Sequence, residues 1–360
     1  MAVTEADILN ALKAVNDPDL HRDIVSLGFI QDLAIHGGRV AFKIELTTPA
    51  CPVRDQMREQ AAQAVRAIPG VTQVDIQMTS QVRSSILQAD HPLTPTIKNI
   101  VAIASGKGGV GKSTVSANLA LALAKTGARV GLLDADVYGP SIPTILGITG
   151  AAQISANQQI VPVEQHGLRV MSMGFFMKPE EAVVWRGPML HKTVQQFLGG
   201  VQWGELDYLL SDLPPGTGDV QLSLCQSISL TGAVIVSTPQ DVALNVAQKA
   251  ITMFKKLNVP VLGIIENMSA YVCPSCGARE EIFGHGGARK IAQRLTLPFL
   301  GEIPLATQIR ETSDAGKPIV ISQPDSPAAR AFTAVAEQLA AQISIRAMKG
   351  ELGQEIKVTF

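Results

Sequence analysis

The stretch Ser105-Gly106-Lys107-Gly108-Gly109-Val110-Gly111-Lys112-Ser113-Thr114 decides the fold. From Gly106 to Ser113 it satisfies G-x-x-x-x-G-K-[ST], a spacing whose glycines let the backbone curl around phosphate oxygens and whose lysine balances their charge. The flanks agree with that reading: residues 100–104 form an apolar run suited to a buried strand, and residues 112–125 follow a helical pattern that stops at Gly127. Amides from Gly108 to Lys112 can then face a phosphate, helped by the positive end of the helix. In this motif Lys112 contacts the β- and γ-phosphates and the Ser113 hydroxyl meets Mg²⁺, with Gly106, Gly108, Gly109, Val110, Gly111 and Thr114 completing the nucleotide cradle.

Outward from the loop, short apolar runs at 129–133, 208–210, 233–236 and 261–265 alternate with helical intervals. That alternation predicts a doubly wound α/β fold with a mostly parallel sheet and ligands at the carboxyl ends of its strands. Acidic residues stand at those ends. Asp134 and Asp136 follow the second strand, and Asp212 follows residues 208–210 at the position of a Walker B aspartate, which binds Mg²⁺. Pro214 to Gly218 reads as the segment that senses the γ-phosphate, since Gly216 and Gly218 can absorb backbone changes. Glu266-Asn267-Met268 follows residues 261–265.

A second, smaller α/β domain precedes this one. Thr4 caps a helix carrying Ile8, Leu12 and Val15, which Asp17-Pro18 ends; residues 30–35 and 40–46 alternate around Gly37-Gly38 as a hairpin. A charged helix runs from Pro52 to Ile68, and residues 71–78 alternate again. The predicted division is a small domain at 1–85, a linker at 86–97 rich in turn formers, the nucleotide-binding domain at 98–345 and a tail at 346–360.

Composition narrows the function. The chain has 360 residues, 46% of them hydrophobic, so it can build two packed cores. A net charge of −1 provides no global field for nucleic acid or an anionic membrane. No uncharged apolar run approaches the roughly 18 residues of a membrane span, and residues 1–13 lack the pattern of a signal peptide, so the expected location is the cytoplasm. Four cysteines in a chain of this length are too few for a disulfide framework. Two of them, Cys273 and Cys276, form a C-x-x-C pair that points to metal or redox chemistry. Three readings compete for the pair: a thioredoxin-type dithiol, a zinc site joined by His285 or another cysteine, and a cluster that takes two thiolates from each of two chains.

The form Lys107-Gly108-Gly109-Val110-Gly111-Lys112-Ser113 resembles the deviant phosphate loop of the ParA, MinD and nitrogenase-reductase class. In that class the early lysine reaches across a dimer to the partner's nucleotide, so the resemblance implies a homodimer in which Lys107 acts with Lys112 in catalysis. It also implies that Asp136 activates water and that Asn267 recognises adenine. Residues 1–85 resemble the small domain of iron–sulfur assembly factors, on Asp17-Pro18-Asp19-Leu20, Asp23 to Gly28 and Thr47 to Pro52, where Cys51 stands before a helix. Taken with Asp212 to Gly218, Trp185-Arg186-Gly187-Pro188 and Cys273 to Cys276, the chain is similar throughout to the Mrp/ApbC family of iron–sulfur cluster carrier ATPases. That resemblance implies ATP, Mg²⁺ and a [4Fe-4S] cluster held by Cys273 and Cys276 at a homodimer interface. Its partners would be apo iron–sulfur clients and cluster scaffold proteins, with no nucleic acid and no membrane. Two rival readings are a ParA or MinD-type positioning ATPase and a zinc-stabilised nucleotide-binding module.

Overall fold

The computed structural model describes residues 3–84, 94–137, 139–176, 187–216, 218, 221, 225, 230–273 and 275–352. Trp185, Arg186, Thr217, Asp219, Pro274 and most of the expected linker and tail lie outside these. The chain divides into two compact units, one of residues 1–83 with 344–358 and one built on Ser84–Ile343.

In the smaller unit, helix α1 (Glu5–Leu12) opens with a capping box: Thr4 Oγ1 accepts from the Asp7 amide while Asp7 Oδ2 accepts from the Thr4 amide at 3.0 Å. Strands β1 (Asn16–Asp17) and β2 (Arg22–Asp23) form a short ladder. Strands β3 (Ile30–His36) and β4 (Arg39–Leu46) then make the expected hairpin, with Gly37 at φ +62°. After helix α2 (Arg54–Arg66), strand β5 (Gln73–Ser80) pairs parallel to β4. Val40, Phe42, Ile44 and Leu46 alternate inward from β4 onto Ile8, Leu12, Met57 and Val65.

The expected tail is not separate from this core. Ile345 and Met348 belong to the same apolar cluster, and the Ser344 hydroxyl approaches the Thr47 carbonyl at 3.5 Å. The sequence-based boundary at 345/346 therefore moves, because the C-terminal helix continues through it and its apolar residues are buried in the smaller unit's core.

The larger unit is a sheet of nine strands among the described residues, ordered β10-β11-β7-β12-β6-β13-β14-β15, with β16 beside β14. Its spine is parallel: β6 (Ile100–Ser105), β7 (Val130–Asp134), β11 (Leu168–Ser172), β12 (Tyr208–Asp212), β13 (Gly232–Ser237), β14 (Val261–Val272) and β16 (Phe299–Leu305). Strands β10 (Val163–Gln165) and β15 (Arg279–Glu280) pair antiparallel at the margins, and β8 (Gln153–Ile154) and β9 (Ile160–Val161) form a separate hairpin. Every residue of β6, β7, β12 and β13 is buried, as expected of a sheet covered on both faces.

Helix α3 (Lys112–Lys125) is buried from Val115 to Leu123, so nearly all its sides are covered. Helices α4 (Ile142–Leu146), α5 (Gly187–Gly199), α6 (Asp241–Lys256), α7 (Gly287–Arg294), α8 (Thr307–Asp314) and α9 (Ile319–Ser322) precede the long α10 (Pro327–Leu352). Strand β12 returns between β6 and β7, which sets Asp212 opposite both Ile103 and Asp134. That crossover creates the functional end of the sheet.

Ile345→Ala should destabilise the protein by about 2–5 kcal/mol, as other buried Ile-to-Ala changes do. Limited proteolysis of this variant should expose residues 1–83 before the larger unit; unchanged protection of the small unit would show that residue 345 is not part of its core.

Candidate functional site

The phosphate loop joins β6 to α3 and is shaped by two close approaches. A Cβ on Gly106 would stand 2.5 Å from the Val246 carbonyl carbon, so the loop lies directly on the backbone of α6. Gly111 has φ +78° at the N-cap of α3, and a Cβ there would meet Asn267 Nδ2 at 2.4 Å. Only glycine satisfies both the left-handed conformation and that contact. The loop encloses a cavity of about 280 Å³ lined also by Lys107, Lys112, Ser113, Thr114, Asp136, Ser141, Ile145 and Pro215.

Its charges are paired within the chain. Lys112 Nζ lies 2.7 Å from Asp212 Oδ2, and their side chains are 6% and 0% exposed. Ser113 Oγ donates to the same carboxylate oxygen at 2.6 Å, and Ser116 Oγ donates to the other at 2.5 Å. Ser116 lies four residues after Lys112, one helical turn along the face that presents Lys112 to Asp212; helical spacing was the signal for it, and the sequence reading missed it.

Asp134 sits behind this pair. Its Oδ2 accepts from Ser172 Oγ at 2.9 Å and from the Ile142 amide at 3.3 Å, while Oδ1 accepts from the Asp136 amide at 3.2 Å. Burial and the neighbouring Asp212 charge push its carboxyl up to about 8, against the pull of Ser172 and Lys112. Asp134 thus ties the ends of β7 and β11 to the start of α4, and Asp136 is set at the cavity wall.

Lys107 is turned onto Gln240, Nζ to Oε1 3.4 Å. Asn267 lies within β14, because that strand runs on to Val272 instead of ending at Ile265 as the sequence suggested. Its Nδ2 donates to the Val110 carbonyl at 2.8 Å, which braces the phosphate loop and leaves its amide oxygen outside that bond. Glu266 turns to the other face, where its two oxygens accept from the Gly286 and Ala288 amides and cap α7. In the segment after Asp212, the Gly216 amide donates to the Ser105 carbonyl at 3.0 Å.

The extension of β14 also carries the cysteines. Tyr271 and Val272 pair with Glu280 and Arg279, so Cys273 to Ala278 is the tip of a hairpin. The Gly277 amide donates to the Cys273 carbonyl at 2.8 Å, and the Cys273 amide donates to Ala278 at 2.9 Å. Amides of Cys276 and Ser275 point at the Cys273 sulfur and hold its thiol below the usual range. Cys276 is exposed and Cys273 half-buried. His285, the sequence candidate for a zinc ligand, instead stands 2.8 Å from Glu302 and clusters with Glu266 and Glu302. Cys225 is buried with its thiol pushed up to about 12, and Cys51 packs partly buried beside the smaller unit's core.

Comparison with known proteins agrees with both halves of this geometry. The family described as "NUBPL iron-transfer P-loop NTPase" matches residues 96–340, and that described as "Iron-sulfur cluster assembly protein" matches residues 5–76. An iron-sulfur cluster carrier protein of Deinococcus radiodurans is 52% identical over 353 residues, covering 98% of this chain and 99% of its own length. The chain belongs to the iron–sulfur cluster carrier family of P-loop NTPases. Another carrier, from Synechocystis, is 49% identical and covers 97% of this chain and 100% of its own. Among solved structures, the nucleotide-binding protein of Archaeoglobus fulgidus in complex with ADP is 42% identical, with a TM-score of 0.58 over 67% of this chain and 95% of that one. The cell division ATPase MinD of Pyrococcus furiosus is 25% identical, with a TM-score of 0.52 over 67% of this chain and 97% of that one.

The family's P-loop is therefore present here with Lys112 packed against the Asp212 carboxylate and Lys107 resting on the Gln240 amide. Because Asp134 takes up a proton on folding, its contribution to stability is full below pH 4 and is lost as pH rises toward 8. Asp134→Asn cannot titrate, so between pH 5.5 and 8.5 the nucleotide-free variant should lose less thermal stability than the parent. Parallel pH profiles would refute the shifted carboxyl.

Proposed function

We propose that this chain binds and hydrolyses ATP with Mg²⁺, holds a [4Fe-4S] cluster between two copies of itself through Cys273 and Cys276, and passes that cluster to apo-proteins in the cytoplasm. The observation that carries the reading is the hairpin tip: it offers two thiols per chain, one of them held below the usual thiol range by backbone amides. A cubane cluster takes four thiolates, so two such tips complete one. Support for the cargo comes from the relatives, which bear the name of iron–sulfur cluster carriers.

In the nucleotide site, Lys112 would leave Asp212 for the β- and γ-phosphates, with the loop amides around them. Ser113 and Asp212 present hard oxygen donors 2.6 Å apart, a set suited to Mg²⁺. Bound there, the ion would neutralise charge on the phosphates. Asp136, at the cavity wall, would orient the attacking water, and Asn267 would turn its remaining polar atoms to adenine. Lys107 would cross to the partner's nucleotide and stabilise charge in the transition state, so chemistry waits for two chains to meet. No described helix is long and apolar enough to cross a membrane.

Cys273→Ala and Cys276→Ala should each abolish cluster reconstitution under anaerobic conditions, read from the broad thiolate–iron absorption, while ATP binding survives. A cluster retained by either variant would move the site elsewhere. Lys107→Ala should keep ATP affinity while hydrolysis falls by about 10³–10⁵, the range of an arginine finger supplied in trans. Equal losses of affinity and rate would place Lys107 on its own chain's nucleotide.

A further inference from the structure

The two lysines of the phosphate loop are held very differently. Lys112 is ion-paired with a buried carboxylate at 2.7 Å, whereas Lys107 has, among the described residues, a single neutral acceptor, the Gln240 amide oxygen at 3.4 Å. That oxygen also accepts from Thr238 Oγ1 at 3.3 Å, which fixes its direction. Gln240 is the N-cap residue of α6, yet its side chain makes no capping bond to that helix. The juxtaposition is built into the backbone: Gly106 lies against Val246 of the same helix so closely that a Cβ would not fit, and Lys107 is the next residue. Loop and helix are thus locked in register at the point where the lysine meets the glutamine.

We propose that Gln240 is a release latch that stows Lys107 within its own chain until a partner's nucleotide competes for it. The inference rests on the reading of Lys107 as a cross-chain residue. A neutral amide suits this task because it offers the ammonium a dipole to rest on without the full negative charge that a carboxylate would add to the attraction. Phosphate charge on the partner can outbid the amide, while a carboxylate in its place would keep the lysine at home. Gln240 is a positioning residue here: it sets where the ammonium rests and takes no part in the reaction.

The test is ATP turnover and ATP affinity of the full chain in four variants. Gln240→Glu preserves shape and adds a charge, so turnover should fall about tenfold or more, the change expected for roughly 1.4 kcal/mol, with ATP affinity unchanged. Raising the salt concentration should restore part of the rate, because a partly exposed ion pair is screened. Gln240→Ala removes the latch and should turn over at or above the parental rate. Lys107→Ala with Gln240→Glu should match Lys107→Ala alone, since the glutamate acts through the lysine. Parental turnover in Gln240→Glu beside a slow Lys107→Ala overturns the latch and leaves the cross-chain role standing. Additive losses in the double variant, or a slow Gln240→Ala, also overturn the latch. Parental turnover in Lys107→Ala overturns both.

Discussion

Lys112 and Asp212 form a charge pair with almost no access to water, and the functional end of the larger unit is arranged to keep it satisfied. Two ions removed from solvent are tolerated when their mutual attraction is joined by further hydrogen bonds. Here Ser113 and Ser116 supply those bonds to the carboxylate. The demand reaches outward: a helix must present Lys112 and Ser116 one turn apart with Ser113 at its start, and β12 must return between β6 and β7 to deliver the aspartate. Asp134, paired with Asp212 on the neighbouring strand, bears the electrostatic consequence as a carboxyl that resists ionisation.

The same pair explains how a nucleotide can matter to the rest of the protein. On the proposed function, phosphate entering the cradle would offer Lys112 a more highly charged partner and would leave Asp212 and Ser113 as an oxygen pair beside it. The segment after Asp212 is linked to the loop through Gly216 and Ser105, so a change at the carboxylate is next to a segment that can respond. The cysteine tip belongs to β14, the strand whose Asn267 braces the phosphate loop through Val110. One strand therefore touches the nucleotide cradle and leads directly into the tip that holds the thiols.

Much of this was legible in the sequence because it depends on local rules. The phosphate loop, the parallel strands and the hairpin around Gly37-Gly38 are written in glycine placement and apolar runs, which need no knowledge of distant contacts. The length of β14 was not legible: Glu266, Asn267 and Ser269 are polar and look like a turn, yet each is buried and Glu266 and Asn267 have partners brought from α7 and the phosphate loop. Tertiary hydrogen bonds overrode the local signal. The C-terminal segment misled for a similar reason. Residues 346–360 were set apart as a tail, but Ile345 and Met348 gain burial from a core formed more than 260 residues earlier in the chain. The pairing of Lys107 with Gln240 had no sequence signal, since the residues are 133 positions apart.

On the proposed function, Asp212 is a stand-in partner for Lys112 that nucleotide would displace. A crystal structure of the chain with Mg²⁺ and a non-hydrolysable ATP analogue tests this directly. Lys112 Nζ should lie on the β- and γ-phosphate oxygens, beyond the ~4 Å reach of a direct ion pair with Asp212, and Asp212 should turn with Ser113 toward the metal. A bound nucleotide with Lys112 still 2.7 Å from Asp212 would contradict it.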